Sequence, residues 1–124
     1  MRFVALPIEA DHGLPQAFSC DIGEGSFDFG LYANVDPPPT DPVDTLYDLA
    51  RPDAPGYLVL RIVHHGAAGA RVVLLRKLVP EPGLVHDAGP LAVRATAAVV
   101  ARGNLNGPGT FGTRITIEVA RRWA

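Results

Sequence analysis

The sequence predicts an all-β fold, an antiparallel β-sandwich or small barrel of about seven strands, carried by a single domain over residues 1–124. Three observations predict it. Short apolar or alternating runs recur along the chain, each closed by Gly, Pro, Asn or Asp, which is the grammar of strands and turns. Neighbouring runs are joined by short glycine-bearing links, Gly23-Glu24-Gly25 and residues 66–69, that suit antiparallel hairpins. No periodic helical segment separates the runs as a βαβ unit requires. A chain of 124 residues is long enough to bury about two thirds of its unfolded surface around one core.

The strands are predicted at residues 2–8, 16–22, 26–33, 57–64, 70–79, 91–102 and 113–121. In the third, Phe27, Phe29 and Leu31 alternate with Asp28, Gly30 and Tyr32. In the last, Ile115, Ile117 and Val119 alternate with Arg114, Thr116, Glu118 and Ala120. Each therefore presents one apolar face to a core. The sixth run is ambiguous, because Ala92, Ala95, Ala97, Ala98 and Ala101 also suit a helix. Val93, Thr96, Val99 and Val100, with loops on both sides, favour a strand.

Residues 36–56 break the pattern. Six prolines (Pro37, Pro38, Pro39, Pro42, Pro52 and Pro55) in this stretch exclude a central strand and predict an inserted loop or arm. Within it Asp41 is placed to cap a short helix that starts at Pro42 and runs through Leu46, Tyr47 and Leu49 to Ala50. The three apolar residues make a partner-contacting arm the preferred reading, with packing back on the parent domain as the alternative. On the arm reading, removing residues 36–56 leaves the domain folded and weakens its assembly.

Charge is distributed unevenly. Residues 1–56 hold two basic and ten acidic side chains, and residues 57–124 hold nine basic and three acidic, so net charges of −8 and +6 recover the overall −2. Such polarity orients a molecule against a partner, or lets one copy's acidic side meet the next copy's basic side in a ring. The alternative is that the halves interleave and the field averages out.

The chemistry a site needs is sparse. Gly107, Gly109 and Gly112 match GxGxxG, but the following alternation is a strand's, so no helix N-terminus faces a pyrophosphate. His64 and His65 on one strand point to opposite faces, and His12 and His86 lie far off in sequence, so no metal set is predicted. Cys20 cannot form an internal disulfide, and its strand position favours an inert thiol. Ser19 and Ser26 lie outside GxSxG. The acids of the first half read as solvated faces, and the basic residues are separated from the aromatics that nucleic-acid binding would interleave with them. No catalytic residue, metal or cofactor is expected. No run reaches the length of a membrane span, and the start lacks the apolar stretch of a secretion signal, which predicts synthesis in the cytosol and no membrane partner.

Several segments together resemble the small baseplate plug proteins of phage tails. Ala5-Leu6-Pro7-Ile8, Gln16-Ala17-Phe18-Ser19 and Phe27-Asp28-Phe29-Gly30-Leu31-Tyr32-Ala33-Asn34 are similar to that family's first apolar strand, its Gln-x-Phe step and the strand that follows. Tyr57-Leu58-Val59-Leu60-Arg61-Ile62 resembles its central strand, with Tyr57 where the family has tryptophan. Lys77-Leu78-Val79-Pro80 resembles its L-V-P-G turn, with the glycine delayed to Gly83, and Gly109-Thr110-Phe111-Gly112-Thr113-Arg114-Ile115 its closing turn and last strand. The segment between Asn34 and Tyr57 is longer than the family's. The resemblance implies a noncatalytic virion structural protein, made in the host cytoplasm, that helps close the distal end of the tail tube. Its partners would be hub, tube or wedge proteins of the baseplate and copies of itself. Leu46, Tyr47, Leu49, Phe111, Arg121, Arg122 and Trp123 are the expected contact residues, because aromatic, apolar and arginine anchors dominate interfaces. For Trp123 the alternative is that it covers an edge of its own sheet. A small β-barrel binding a small ligand or carbohydrate is the second function class.

Overall fold

The computed structural model describes residues 2–23 and 25–122. Among the described residues there are nine strands: β1 (Val4–Ala5), β2 (Gln16–Ile22), β3 (Gly25–Val35), β4 (Leu46–Asp48), β5 (Gly56–Gly66), β6 (Gly69–Lys77), β7 (His86–Ala88), β8 (Leu91–Ala101) and β9 (Arg114–Arg121). They form two antiparallel sheets that share no strand, so the fold is a β-sandwich. One sheet has the order β2-β3-β5-β6. In the other, β1 pairs β9, β9 pairs β8, and the far side of β8 is shared by β7 near its start and β4 near its end.

Alternation puts the apolar rows face to face. Phe27, Phe29 and Leu31 of β3 and Leu58, Leu60 and Ile62 of β5 meet Leu91, Val93, Ala98 and Val100 of β8 and Ile115, Ile117 and Val119 of β9. Phe18 of β2 stacks on Phe29 with ring centres 5.3 Å apart. The alanines of β8 fit here as strand residues: Ala95 and Ala98 lie in the core, where larger side chains would force the layers apart, and Ala92 and Ala101 are buried as well. Two bulges adjust register, at Val73 in β6 and Thr96 in β8.

The segment 36–56 is not a projecting arm, and it contains no helix. After a turn in which the Thr45 amide donates to the Pro42 carbonyl at 3.1 Å, Leu46, Tyr47 and Asp48 pair with Ala101, Val100 and Val99 of β8. The ladder continues beyond β4, with Leu49 N–H to Ala98 O at 2.8 Å and Arg102 N–H to Thr45 O at 2.8 Å. Tyr47 and Leu49 enter the core. Asp41 accepts the Tyr47 hydroxyl proton at 2.7 Å instead of capping a helix. The physical reason is the unpaired side of β8: its backbone groups give a short segment more hydrogen bonds than one helical turn flanked by prolines. Removing residues 36–56 would therefore open the core.

The charge halves do interleave, because β2 and β3 share a sheet with β5 and β6. Within that sheet the separation survives, with Asp21 on the β2 edge and Arg71, Arg76 and Lys77 on the β6 edge.

Candidate interaction surface

The outer faces of the two sheets differ in chemistry. On the β8–β9 sheet, Arg94 lies opposite Glu118 and its Nε donates to Oε1 at 2.8 Å, while its guanidinium carbon sits 3.9 Å from the centre of the Phe3 ring. At this point the face is covered by its own side chains.

The outer face of the four-stranded sheet is open and carries an exposed apolar patch set among polar side chains. Its cross-strand rows follow from the registers: Ala17, Gly30, Arg61 and Leu75 in one, and Ser19, Asp28, Val63 and Val72 in the next. Tyr32 and Val59 form a further pair. Val72, Leu75 and Tyr32 are 49%, 58% and 43% exposed, around Val59 and Val63, which are buried. Lys77 borders the patch, its Nζ 5.0 Å from the Tyr57 ring centre, and the Asn34 amide donates to the Tyr57 hydroxyl at 3.0 Å. Gly30 leaves a gap in the face, a shallow depression of about 250 Å³ walled by Ala17, Tyr32 and Arg61.

Beside this gap the structure brings together three residues of the types used in nucleophilic catalysis. Ser19 Oγ donates to Asp28 Oδ1 at 2.6 Å, and His65 Nε2 lies 2.7 Å from Asp28 Oδ2. The order is wrong for a catalytic triad. There the histidine stands between acid and serine to take the hydroxyl proton, whereas here the aspartate stands between the other two. The Ser19 and His65 hydrogen bonds hold the Asp28 carboxyl below its usual pKa, so it remains a carboxylate acceptor. The trio is a clasp across β2, β3 and β5. Cys20, on the opposite side of β2, has its thiol pKa pushed up by burial and by the neighbouring Asp21 charge, which opposes thiolate formation.

His64 and His65 diverge as strand alternation requires. His64 turns to the end of the sandwich and stacks on Phe27, ring centres 4.7 Å apart. It lines a cleft of about 340 Å³ with Ile22, Leu91 and Arg121. Among the described residues no three His, Cys, Asp or Glu side chains gather as a metal set. The glycine-rich loop is organised by buried Asn104, whose Nδ2 donates to the carbonyls of Gly107 at 3.2 Å and Gly109 at 2.9 Å. It leads into a strand.

The residues expected at a partner surface do not form one patch. Tyr47 and Leu49 are buried, so as surface contacts they are corrected: their side chains complete the core. Burial, followed by the Asp41 hydrogen bond, raises the Tyr47 phenol pKa. Leu46 is half exposed and lies against Gly112, and the half-buried Phe111 ring covers Gly103 and Gly109. These two sit where β8 ends. Arg121 and Arg122 are exposed near its start, where Arg121 pairs in register with Leu91 and Arg122 lies 3.6 Å from Asp87. Trp123 lies outside the described residues.

Val72, Leu75 and Tyr32 were not among the residues expected from sequence. In the run Val72-Val73-Leu74-Leu75 four consecutive apolar residues read as a strand buried on both faces. The bulge at Val73 turns Val73 and Leu74 inward and leaves Val72 and Leu75 outside.

Comparison with protein-family models, with curated proteins and with solved structures finds no match. No helix among the described residues is long and apolar enough to cross a membrane.

Proposed function

We propose that this chain is a noncatalytic structural domain that works by protein–protein contact, and that its place is the baseplate of a phage tail, as a plug associated with the hub. The observation that supports the contact role is the outer face of the four-stranded sheet, where Val72, Leu75 and Tyr32 are exposed beside the unpaired edge of β6. An apolar face that ends in a free strand edge is a common ground for docking, because the edge supplies a row of backbone donors and acceptors and the face supplies area. The tail assignment rests on the sequence resemblance of the segments around Phe18, Phe29, Tyr57, Pro80 and Phe111. On this reading the protein is made in the host cytoplasm and resides in the virion with hub, tube or wedge proteins as neighbours.

The test is sedimentation of native lysate or particles with quantitative mass spectrometry. The expected result is co-sedimentation with tail particles in fixed stoichiometry. A chain found only among small soluble proteins overturns the reading. In that case the depression over Gly30 becomes the place to screen small ligands and carbohydrates by thermal shift.

A further inference from the structure

Among the described residues the four-stranded sheet ends in two unpaired edges of opposite charge. β6 carries Arg71, Arg76 and Lys77 and no acid. β2 carries Asp21, and beside its start stands Glu9, whose backbone N–H and carbonyl are both hydrogen-bonded to the Gln16 amide. All pairings in this sheet are antiparallel, so β2 and β6 of one molecule run in opposite directions. A second copy added in the same orientation therefore lays its β2 antiparallel to the first copy's β6. Sheet and alternation continue across the junction.

The registers say what would meet there. One cross-strand row holds Gln16, Leu31, Leu60 and Arg76, and another holds Asp21, Ser26, His65 and Ala70. Continued without offset, the first row brings Gln16 and its attached Glu9 to Arg76, with Lys77 next to it, and the second brings Asp21 beside Ala70, one residue from Arg71, which falls in the neighbouring row with Cys20. Between these rows, Ala17 falls beside Leu75 and Ser19 beside Val72. Opposite charges flank the seam, and the two most exposed apolar residues of the face gain neighbours. The symmetric alternatives are poorer. Pairing β6 with β6 gathers both copies' Arg71, Arg76 and Lys77 in one seam without an acid, and pairing β2 with β2 leaves Val72 and Leu75 in water.

We infer that copies of this chain associate head to tail, the β6 edge of one on the β2 edge of the next. Such an interface closes into a ring or grows as a chain, depending on the rotation between copies. The inference stands on the two edges and does not require a phage tail.

Analytical ultracentrifugation of the purified chain tests it. Wild-type protein should associate, and association should weaken as salt is raised. Two variants at exposed positions, A17K/D21K on β2 and R71E/R76E/K77E on β6, should each be monomeric alone, since each sets like charges across the seam. Mixed in equal amounts they should re-associate, because each then meets an opposite charge. A wild-type chain that stays monomeric at all concentrations overturns the inference, as does a β2 variant that still dimerises alone, which is the signature of β6 on β6. Circular dichroism of each variant checks the fold, and the salt dependence of the unaltered chain tests the charge argument independently of any variant.

Discussion

Thr113→Val should cost this protein about 3 kcal/mol, a figure that follows from two hydrogen bonds at one buried hydroxyl. Thr113 Oγ1 accepts the Ala101 backbone N–H at 2.8 Å and donates to Asn104 Oδ1 at 2.6 Å. Asn104 is fully buried and Ala101 has no exposed surface, so neither partner can turn to water. Valine keeps the shape and removes the hydroxyl. Each partner left alone costs about 1–3 kcal/mol, and the added methyl returns about 0.8 kcal/mol, which leaves a net loss of about 3 kcal/mol. At roughly 2.1 cal/mol/K of unfolding entropy per residue, the 124-residue chain loses about 4 °C of Tm per kcal/mol, so Tm should fall by about 12 °C. Thermal and urea unfolding followed by circular dichroism would measure this, with Thr113→Ser as the control that keeps both bonds. A fall of under about 3 °C would refute the reasoning, since it would mean that the orphaned groups had found other partners.

Other outcomes follow from the same structure. His86 is buried with Nε2 accepting the Val79 N–H at 3.2 Å, and its pKa is lowered by burial and then by Arg76. A lowered folded pKa means that the stability is complete above the unfolded value and is lost as pH falls through the folded one. Urea midpoints should drop between about pH 7 and pH 5, and His86→Gln should flatten that drop. Leu49→Ala should cost about 2–5 kcal/mol while exposed Leu46→Ala stays within about 0.5 kcal/mol, and equal effects in chemical denaturation would contradict the inward packing of this segment. Gly13 has φ 71° and would place a Cβ 1.7 Å from the Gly107 carbonyl oxygen, whereas Gly69, φ 107°, has open space. Gly13→Ala should therefore lower Tm well beyond Gly69→Ala, in which only the backbone conformation is strained.

Much of the fold was legible because one layer's physics is local. The alternation in residues 26–33 and 113–121 assigns an inner and an outer face without knowing what the inner face meets. Six of the seven expected strands lie within a few residues of those observed. The first shrinks to Val4–Ala5, and its continuation is a single bond from the Leu6 N–H to the Ile117 carbonyl at 2.8 Å. β4 and β7 were not legible. Each is three residues long, and each exists because β8 offers it an unpaired side. Of the interaction surface, the sequence showed an excess of basic side chains over residues 57–124 but not that Arg71, Arg76 and Lys77 line an edge. Ser19, Asp28 and His65 are spread over 47 residues of sequence, and only the β2-β3-β5 register joins them.

By itself, then, the sequence determined the all-β class, the hairpin connections, the divergence of His64 from His65 and the separation of charge between the two halves. These are properties of residue order, fixed by strand period and by the turn preferences of glycine and proline. The tertiary structure alone decided which strands are central and which are edges, that Tyr47 and Leu49 face the core, and that a bulge exposes Val72 and Leu75. Those depend on which backbone groups and apolar faces remain unsatisfied once distant strands have paired, and this is a property of the assembled sheets that no local stretch of chain carries.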